Sequence, residues 1–364
     1  MIGGGHAHVA VLADWIRNGR PARATLLTPQ PTLRYSGMVP GWIAGEHQAD
    51  DGLVDLVGLA ERAGAQLVLD RCVAINPERR TARTASGNEI AFDYVSIDTG
   101  GVGKARKILG NNARLLDIRP IDAFVDRLSE WRRAARGKVC RVAVIGGGAG
   151  GVELAFGLRN ASGFDPRPEV VLATGDDGLL PGFSRSVRDR VAAEAAEQAI
   201  ELLRSDAQLE DGQLCVAGRS LEPVDLIVAA TGSAAPDWPR ESGLACDEAG
   251  FISVDRYQRS ISHQNVFAVG DVAARQDRDV PHSGVHAAFA GPVLADSLRR
   301  VLVGKLPRRS YRRRRKSLYL LNTGNGSAIA SYGSLAAQGR WVAWLKHWID
   351  KRWIATYAKL ARRE

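Results

Sequence analysis

Aliphatic runs that stop abruptly at glycine set the pattern of this chain. Arg141–Ile145 shows no polar alternation after its first residue, which predicts a parallel strand buried on both faces. Gly146-Gly147-Gly148-Ala149-Gly150-Gly151 follows at once, and residues 152–156 read as a helix start. The same order stands near the beginning: Ile2, then Gly3-Gly4-Gly5, then a helix over 9–17. Two further strands, over 92–97 and 224–230, end in Thr99-Gly100 and Thr231-Gly232. Strands are also predicted over 24–27, 66–70, 169–173, 251–255 and 265–272, and helices over 53–63, 121–135, 186–198 and from Pro281 to about Val303. Residues 72–75 and 79–89 read as a small antiparallel unit turning at Ser86-Gly87-Asn88, and 317–321 with 327–332 as a hairpin. Residues 35–45 are apolar and glycine-rich without a period. They read either as a lining for a flat aromatic ligand or as a packed loop.

A glycine turn between a buried strand and a helix is the context of a dinucleotide fingerprint. Gly146 would permit the tight turn, Gly148 the approach of a pyrophosphate, and Gly151 close packing of helix on sheet. The helix N-terminus would offer free N–H groups to the phosphates. Because turn and Thr-Gly end occur twice in the same order, one dinucleotide domain is expected inside another. The predicted fold is α/β: two nested Rossmann-like dinucleotide-binding domains of three-layer ββα type, plus a C-terminal hairpin and amphipathic helix. Residues 1–105 and 245–307 would form the outer domain, 106–244 the insert, and 308–364 a basic C-terminal region. Two dinucleotides suggest a flavin working with a nicotinamide.

The first turn departs from the rule. His8 replaces the third glycine, and Thr28 or Pro29 stands where an acid would hold ribose hydroxyls. Only Met1 and Ile2 precede Gly3, although a strand needs about five residues. The expectation is that the protein begins upstream or has lost part of its first strand. After residue 173 no acid or arginine stands at the strand end proper, so the choice between NADH and NADPH stays open.

Composition narrows the classes. The 364 residues are enough for two domains, and no apolar run approaches the roughly 20 residues of a transmembrane helix. Cys72, Cys140, Cys215 and Cys246 are isolated from one another and read as buried thiols in a reducing compartment. No metal site is expected. The net charge of +9 concentrates late, in Arg308, Arg309, Arg312, Arg313, Arg314, Arg315 and Lys316, then Lys346, Lys351, Arg352, Lys359, Arg362 and Arg363. That predicts an anionic partner, with nucleic acid ranked last because no nucleic-acid motif accompanies the charge. The last helix carries Trp341, Trp344, Leu345, Trp348, Ile349, Trp353, Tyr357 and Leu360 as one expected stripe with a basic opposite face. Such a helix packs on the body or a second copy, or lies in a membrane interface. The expected location is cytoplasmic, with peripheral contact at the inner face of the membrane as the other arrangement.

The glycine turns, the Thr-Gly ends and Val269-Gly270-Asp271 resemble the two-dinucleotide-domain flavoproteins of the pyridine nucleotide-disulfide oxidoreductase superfamily. The resemblance implies that the outer domain binds FAD and the insert binds NADH or NADPH. It places Gly3, Gly4, Gly5, His6 and Ala7 at the FAD pyrophosphate, with Val73, Thr99, Gly100, Gly270, Ser283 and Val285 along the same cofactor and Asp271 at its ribitol. Gly146, Gly148, Ala149, Gly151, Thr231 and Gly232 would frame the nicotinamide nucleotide, with Glu153 near the nicotinamide. No side chain is expected to act as a nucleophile, since the flavin carries the chemistry.

The chain lacks the paired redox cysteines of the disulfide branch and is closer to type II NADH dehydrogenases, which reduce quinones. Gly3 to Val9, Tyr35 to Gly41 and the Trp-rich basic tail resemble the flavoprotein fused to, or encoded beside, selenide, water dikinase. In that group a histidine at the third glycine is usual, which restores the first site. The implied activity is hydride transfer from NAD(P)H to FAD, then electron transfer to an acceptor, quinone or other. The alternatives are a redox sensor or partner of selenide, water dikinase, and a sulfide- or selenide-oxidising flavoprotein with cysteines beside the flavin.

Overall fold

A computed structural model describes residues 1–312 and 317–362. Two parallel sheets form its centre. The first runs in the order Gln66–Leu69, Thr25–Thr28, Ile2, Val95–Ile97, Val266–Ala268. The second repeats that order with Ile200–Leu203, Glu169–Ala173, Arg141–Ile145, Leu226–Ala229 and Leu115–Asp117. In each, the strand leading into the glycine turn is central and the strand ending in Thr-Gly lies beside it. The edge strand of the first sheet comes late in the chain, at 266–268, after the second sheet is complete. This is the nested arrangement the repeated motifs predict.

The central position of the first sheet is filled by two residues. Ile2 N donates to Ser96 O (2.8 Å), Asp98 N donates to Ile2 O (2.8 Å), and Leu27 N donates to Met1 O (2.9 Å). Ile2 is 3% exposed between both neighbours. Its N–H and carbonyl are both engaged by the adjacent strand, so Ile2 occupies the central-strand position of the sheet.

Each sheet is a middle layer. Helices His6–Asn18 and Gly284–Val301 cover one face of the first, and the meander Cys72–Asn76, Thr81–Thr84, Glu89–Ala91 lies on the other. The two helices approach closely: a Cβ at Gly291 would lie 2.6 Å from Ala10 Cβ. The second sheet carries Ile121–Ala135, Ala149–Arg159 and Arg185–Glu197 on one side and a meander over 207–220 on the other.

Several predicted elements change. The helix expected over 53–63 divides into a strand Leu53–Asp55 and a helix Leu56–Arg62. Asp55 accepts from Gly58 N at 3.0 Å, so it caps that helix instead of lying within it. The aperiodic 35–45 segment forms a 3₁₀ turn Ser36–Met38 and a short helix Val39–Ile43, whose buried face packs on Ala149–Arg159. The strand expected over 265–272 stops at Ala268 and gives way to a 3₁₀ turn at Gly270–Val272. The predicted hairpin gains a third strand, Leu335–Gly339, antiparallel to Ala328–Tyr332.

The largest correction concerns the C-terminal helix, Arg340–Ala361. Its apolar residues do not form one stripe. Trp353, Ile354, Tyr357 and Leu360 pack on the first core. Trp341, Trp344 and Trp348 turn outward, 58%, 67% and 47% exposed. Lys346, counted among the basic residues by sequence, points inward to Asp350, their side chains 12% and 6% exposed. Buried partners override the hydrophobic period in this half of the helix. Of the basic residues, Arg313, Arg314, Arg315, Lys316 and Arg363 lie outside the described residues.

Candidate active site

The first glycine turn is built around two side chains. His8, in place of the third fingerprint glycine, is fully buried and both ring nitrogens are engaged. Nδ1 lies 2.6 Å from Gly3 O and Nε2 lies 2.8 Å from Ser96 Oγ. Nδ1–H donating to the carbonyl leaves Nε2 to accept from the serine. Burial pushes His8 down to about 3, so it is neutral and staples the turn to the adjacent strand. The objection raised by its position therefore disappears: imidazole fits because both of its nitrogens find partners.

Asp98 is the second. It ends the strand Val95–Ile97 just before Thr99-Gly100 and is 3% exposed. Its Oδ2 accepts from Ala7 N (2.8 Å) and His8 N (3.0 Å), in the first turn of the helix. A Cβ at Gly5 would overlap its carboxylate, and one at Gly270 would lie 2.7 Å from Oδ1. Gly3 has φ +93°, and a Cβ there would meet the Asp98 carbonyl, so only glycine fits. Burial, opposed by those two N–H groups, raises Asp98 to about 7.

His6 opens the same helix. Its ring sits 5.3 Å from Trp353 and 5.9 Å from Tyr35, which stack on one another at 4.9 Å. Burial lowers it to about 4, and its Nε2 has no hydrogen-bond partner among the described residues. A Cβ at Gly284 would lie 3.5 Å from this ring, so the N-terminus of the helix Gly284–Val301 adjoins the first turn. Ser283, which precedes that helix, makes no capping bond, and its buried Oγ has no hydrogen-bond partner among the described residues. Asp271 is buried, with Oδ2 on Arg119 at 2.8 Å. Val73 is half-buried at a bulge between Cys72 and Ala74.

The second turn is more open. Gly146 has φ +128°, and a Cβ there would strike Ala230 O. One at Gly151 would strike Gly146 O. Around Gly148 and Gly150 nothing lies within 4 Å of a Cβ. Gly148 and Ala149 begin the helix Ala149–Arg159, whose N-terminus carries no side-chain cap. Thr231 Oγ1, beside Gly232, is buried without a hydrogen-bond partner among the described residues. The two Thr-Gly ends converge, because the strand Ser233–Ala234 pairs antiparallel with Val102–Gly103.

Glu153 lies one turn into the second helix. Its Oε1 accepts from Asn322 N at 2.9 Å and lies 3.8 Å from Lys346 Nζ. Lys346 Nζ also donates to Gly37 O (3.0 Å) and Asp350 Oδ2 (3.1 Å), and Tyr35 Oη donates to Asp350 Oδ1 (3.1 Å). Burial raises Glu153, opposed by Lys346. Burial works against the charge on Lys346, but Glu153 and Asp350 hold its pKa above the ordinary value. Sequence reasoning missed Lys346, Asp350, Arg119 and Asp98. Asp98 had a signal, a lone carboxylate between a buried strand and Thr-Gly. The others had none, since their partners come from remote parts of the chain.

The residues fit two dinucleotides: two glycine turns at helix starts, the second uncapped with open space at Gly148, and His6, Ser283 and Thr231 atoms without a hydrogen-bond partner among the described residues. Fold and site together define a two-dinucleotide oxidoreductase. Residues 1–291 match the model of the pyridine nucleotide-disulphide oxidoreductase family, and the chain belongs to that family. It is 26% identical over 246 residues to ferroptosis suppressor protein 1 of Taeniopygia guttata, covering 63% of this chain and 62% of that one. It is 29% identical over 204 residues to an NADH oxidase of Lactococcus lactis, 53% of this chain and 44% of the relative. These matches thus span less than two thirds of either relative. Its fold is that of the sulfide:quinone oxidoreductase of Aquifex aeolicus, with TM-score 0.80, 18% identity and 99% and 91% of the two chains covered. An engineered NADPH oxidase bound to NADPH superposes with TM-score 0.74 at 19% identity, over 90% of this chain and 74% of that one.

Proposed function

We propose that the protein is an FAD-dependent NAD(P)H oxidoreductase delivering electrons to a small diffusible acceptor of the quinone class. In this reading residues 1–105 with 245–307 hold FAD and 106–244 hold the nicotinamide nucleotide. The observation that carries it is the pairing of Ser233 with Gly103, which brings the segments that follow the two Thr-Gly ends side by side. The bound FAD supplies the hydride and electron chemistry. Gly3, Gly4, Gly5, His6 and Ala7 form its phosphate end, and Ser283 and Val285 start a helix whose dipole favours anionic charge. Asp271 and Arg119 sit at the Gly270 turn between the two domains. Gly146, Gly148, Ala149, Gly151, Thr231 and Gly232 frame the nucleotide.

Lys346 keeps a protonated ammonium 3.8 Å from Glu153 inside the protein, and an acceptor taking two electrons also needs protons. A sulfide-quinone reductase of Aquifex aeolicus, 29% identical over 101 residues, supports the acceptor class by the quinone in its name. The cysteines do not support sulfide oxidation. All four are free, and Cys140, just before the strand Arg141–Ile145, is at the opposite end from the glycine turn. The outward Trp341, Trp344 and Trp348, with Arg352 stacked 5.3 Å over Trp348 and Arg340 and Lys351 nearby, suit an anionic lipid surface from which such acceptors are drawn. Among the described residues no helix is long and apolar enough to cross a membrane.

The test is an anaerobic spectrum before and after NADH, then NADPH. The flavin band should bleach with at least one and return on adding a short-chain quinone. A bound flavin that neither donor bleaches overturns the reading. Selenium oxyanions belong in the same assay, because the likeness to the partner of selenide, water dikinase makes them the competing acceptor.

A further inference from the structure

The two glycine turns differ in one respect. At the second, Gly148 and Gly150 face open space and no side chain caps the helix. At the first, two N–H groups of the opening turn, those of Ala7 and His8, are already bound by the Asp98 carboxylate. A carboxylate is an anion at the place where a helix start receives a phosphate. Resting on the FAD reading above, we propose that loading of FAD on the first turn is coupled to the uptake of one proton by Asp98.

The geometry gives the reason. The Asp98 carboxylate lies against the backbone of Gly5 and Gly270, where a Cβ would meet it, and is held there by Ala7 N and His8 N. The ionisable groups around it offer no cation of its own. His6 and His8 flank it on the helix and are held neutral by burial. Asp271 faces it from the Gly270 turn and is another carboxylate, whose partner is Arg119. Ionised Asp98, ionised Asp271 and a diphosphate would place their charges around one buried helix end. Protonation removes the charge while leaving Oδ2 to accept from Ala7 and His8. Raised to about 7, Asp98 is poised for this exchange near neutral pH.

The experiment titrates the flavin-stripped full-length protein with FAD from pH 5.5 to 8.5, following flavin fluorescence. The diphosphate of FAD keeps both charges over this range, so a slope belongs to the protein. Affinity should be level below about pH 7 and fall about tenfold per pH unit above it, the linkage expected for one proton. Addition of FAD at pH 7.5 in weak buffer should take up about three quarters of a proton, read with an indicator dye. Asp98→Asn should bind FAD with a level profile and take up none. A flat wild-type profile with no proton uptake overturns the proposal even if the variant fails to fold. So does an unchanged slope in the variant. Absence of FAD binding at every pH overturns the cofactor reading, and this proposal with it.

Discussion

Lys346 reaches from the C-terminal helix to within 3.8 Å of Glu153, one turn into the helix that follows the second glycine turn. It is a cation held among Glu153, Asp350 and the Gly37 carbonyl, with its side chain 12% exposed. Removing it leaves two buried carboxylates without a counter-charge. Lys346→Met should cost about 3 kcal/mol, the scale of breaking one side of a buried pair. Urea midpoints would check this, and Lys346→Arg should recover part of the loss. Glu153→Gln should cost less, because Asn322 N keeps an acceptor.

Stability should vary with pH through opposed groups at the first turn. His6 and His8 lie at about 4 and 3 when folded, below an unfolded value near 6.5. Their contribution is complete above that value and is lost as pH falls toward 4. Asp98, raised to about 7, works the other way: its contribution is complete below about 4 and is lost as pH rises through 7. Between pH 7 and 5 the two trends offset. Asp98→Asn removes one, so its flavin-free form should lose stability in acid more steeply than wild type. Parallel urea midpoints at pH 5, 6 and 7 measure the difference.

His8→Ala removes two buried hydrogen bonds and leaves Gly3 O and Ser96 Oγ unsatisfied. A loss of about 2–4 kcal/mol is expected, together with low flavin content in the purified protein. A variant that purifies with full flavin and a wild-type melting temperature would refute the stapling role.

The glycines of the second turn should separate folding from binding. Gly151→Ala meets Gly146 O and should fold poorly. Gly148→Ala meets nothing within 4 Å and should melt with wild type, yet weaken NAD(P)H binding at least tenfold by crowding the phosphates. Stopped-flow bleaching against nucleotide concentration reads that loss.

The tryptophans divide by face. Replacing Trp341, Trp344 and Trp348 together by Ser should shift stability by less than about 1 kcal/mol, since all are exposed, and should abolish sedimentation with anionic vesicles. Trp353→Ala breaks the stack on Tyr35 and His6 and should cost about 2 kcal/mol. Equal vesicle binding by the triple variant would remove the lipid surface from the functional reading.

Much of the fold was legible because its signals are local. A β-branched run, a glycine turn and a helix start fall within fifteen residues, and the repeat of Thr-Gly ends supplied the nesting. The exceptions have physical reasons. Leu53–Asp55 was hidden in a helical reading, because a three-residue strand carries too little period to compete. The place of Ile2 at the centre of its sheet comes from Ser96 and Asp98, which bond its N–H and carbonyl from far along the chain. The stripe on the C-terminal helix failed because Lys346 and Asp350 are buried by partners that no period reveals. The turns themselves were readable, whereas Asp98, Arg119 and Lys346 take their meaning only from what the fold sets beside them.

Tyr35 and Asp350 are bonded across 315 positions of sequence. During synthesis the first turn therefore leaves the ribosome long before the helix that encloses His6 exists. Until Trp353 and Lys346 emerge, His6 and Glu153 lack the neighbours that cover them in the finished fold. The chain is thus built as an unclosed vessel and sealed late, both glycine turns being made before their C-terminal cover.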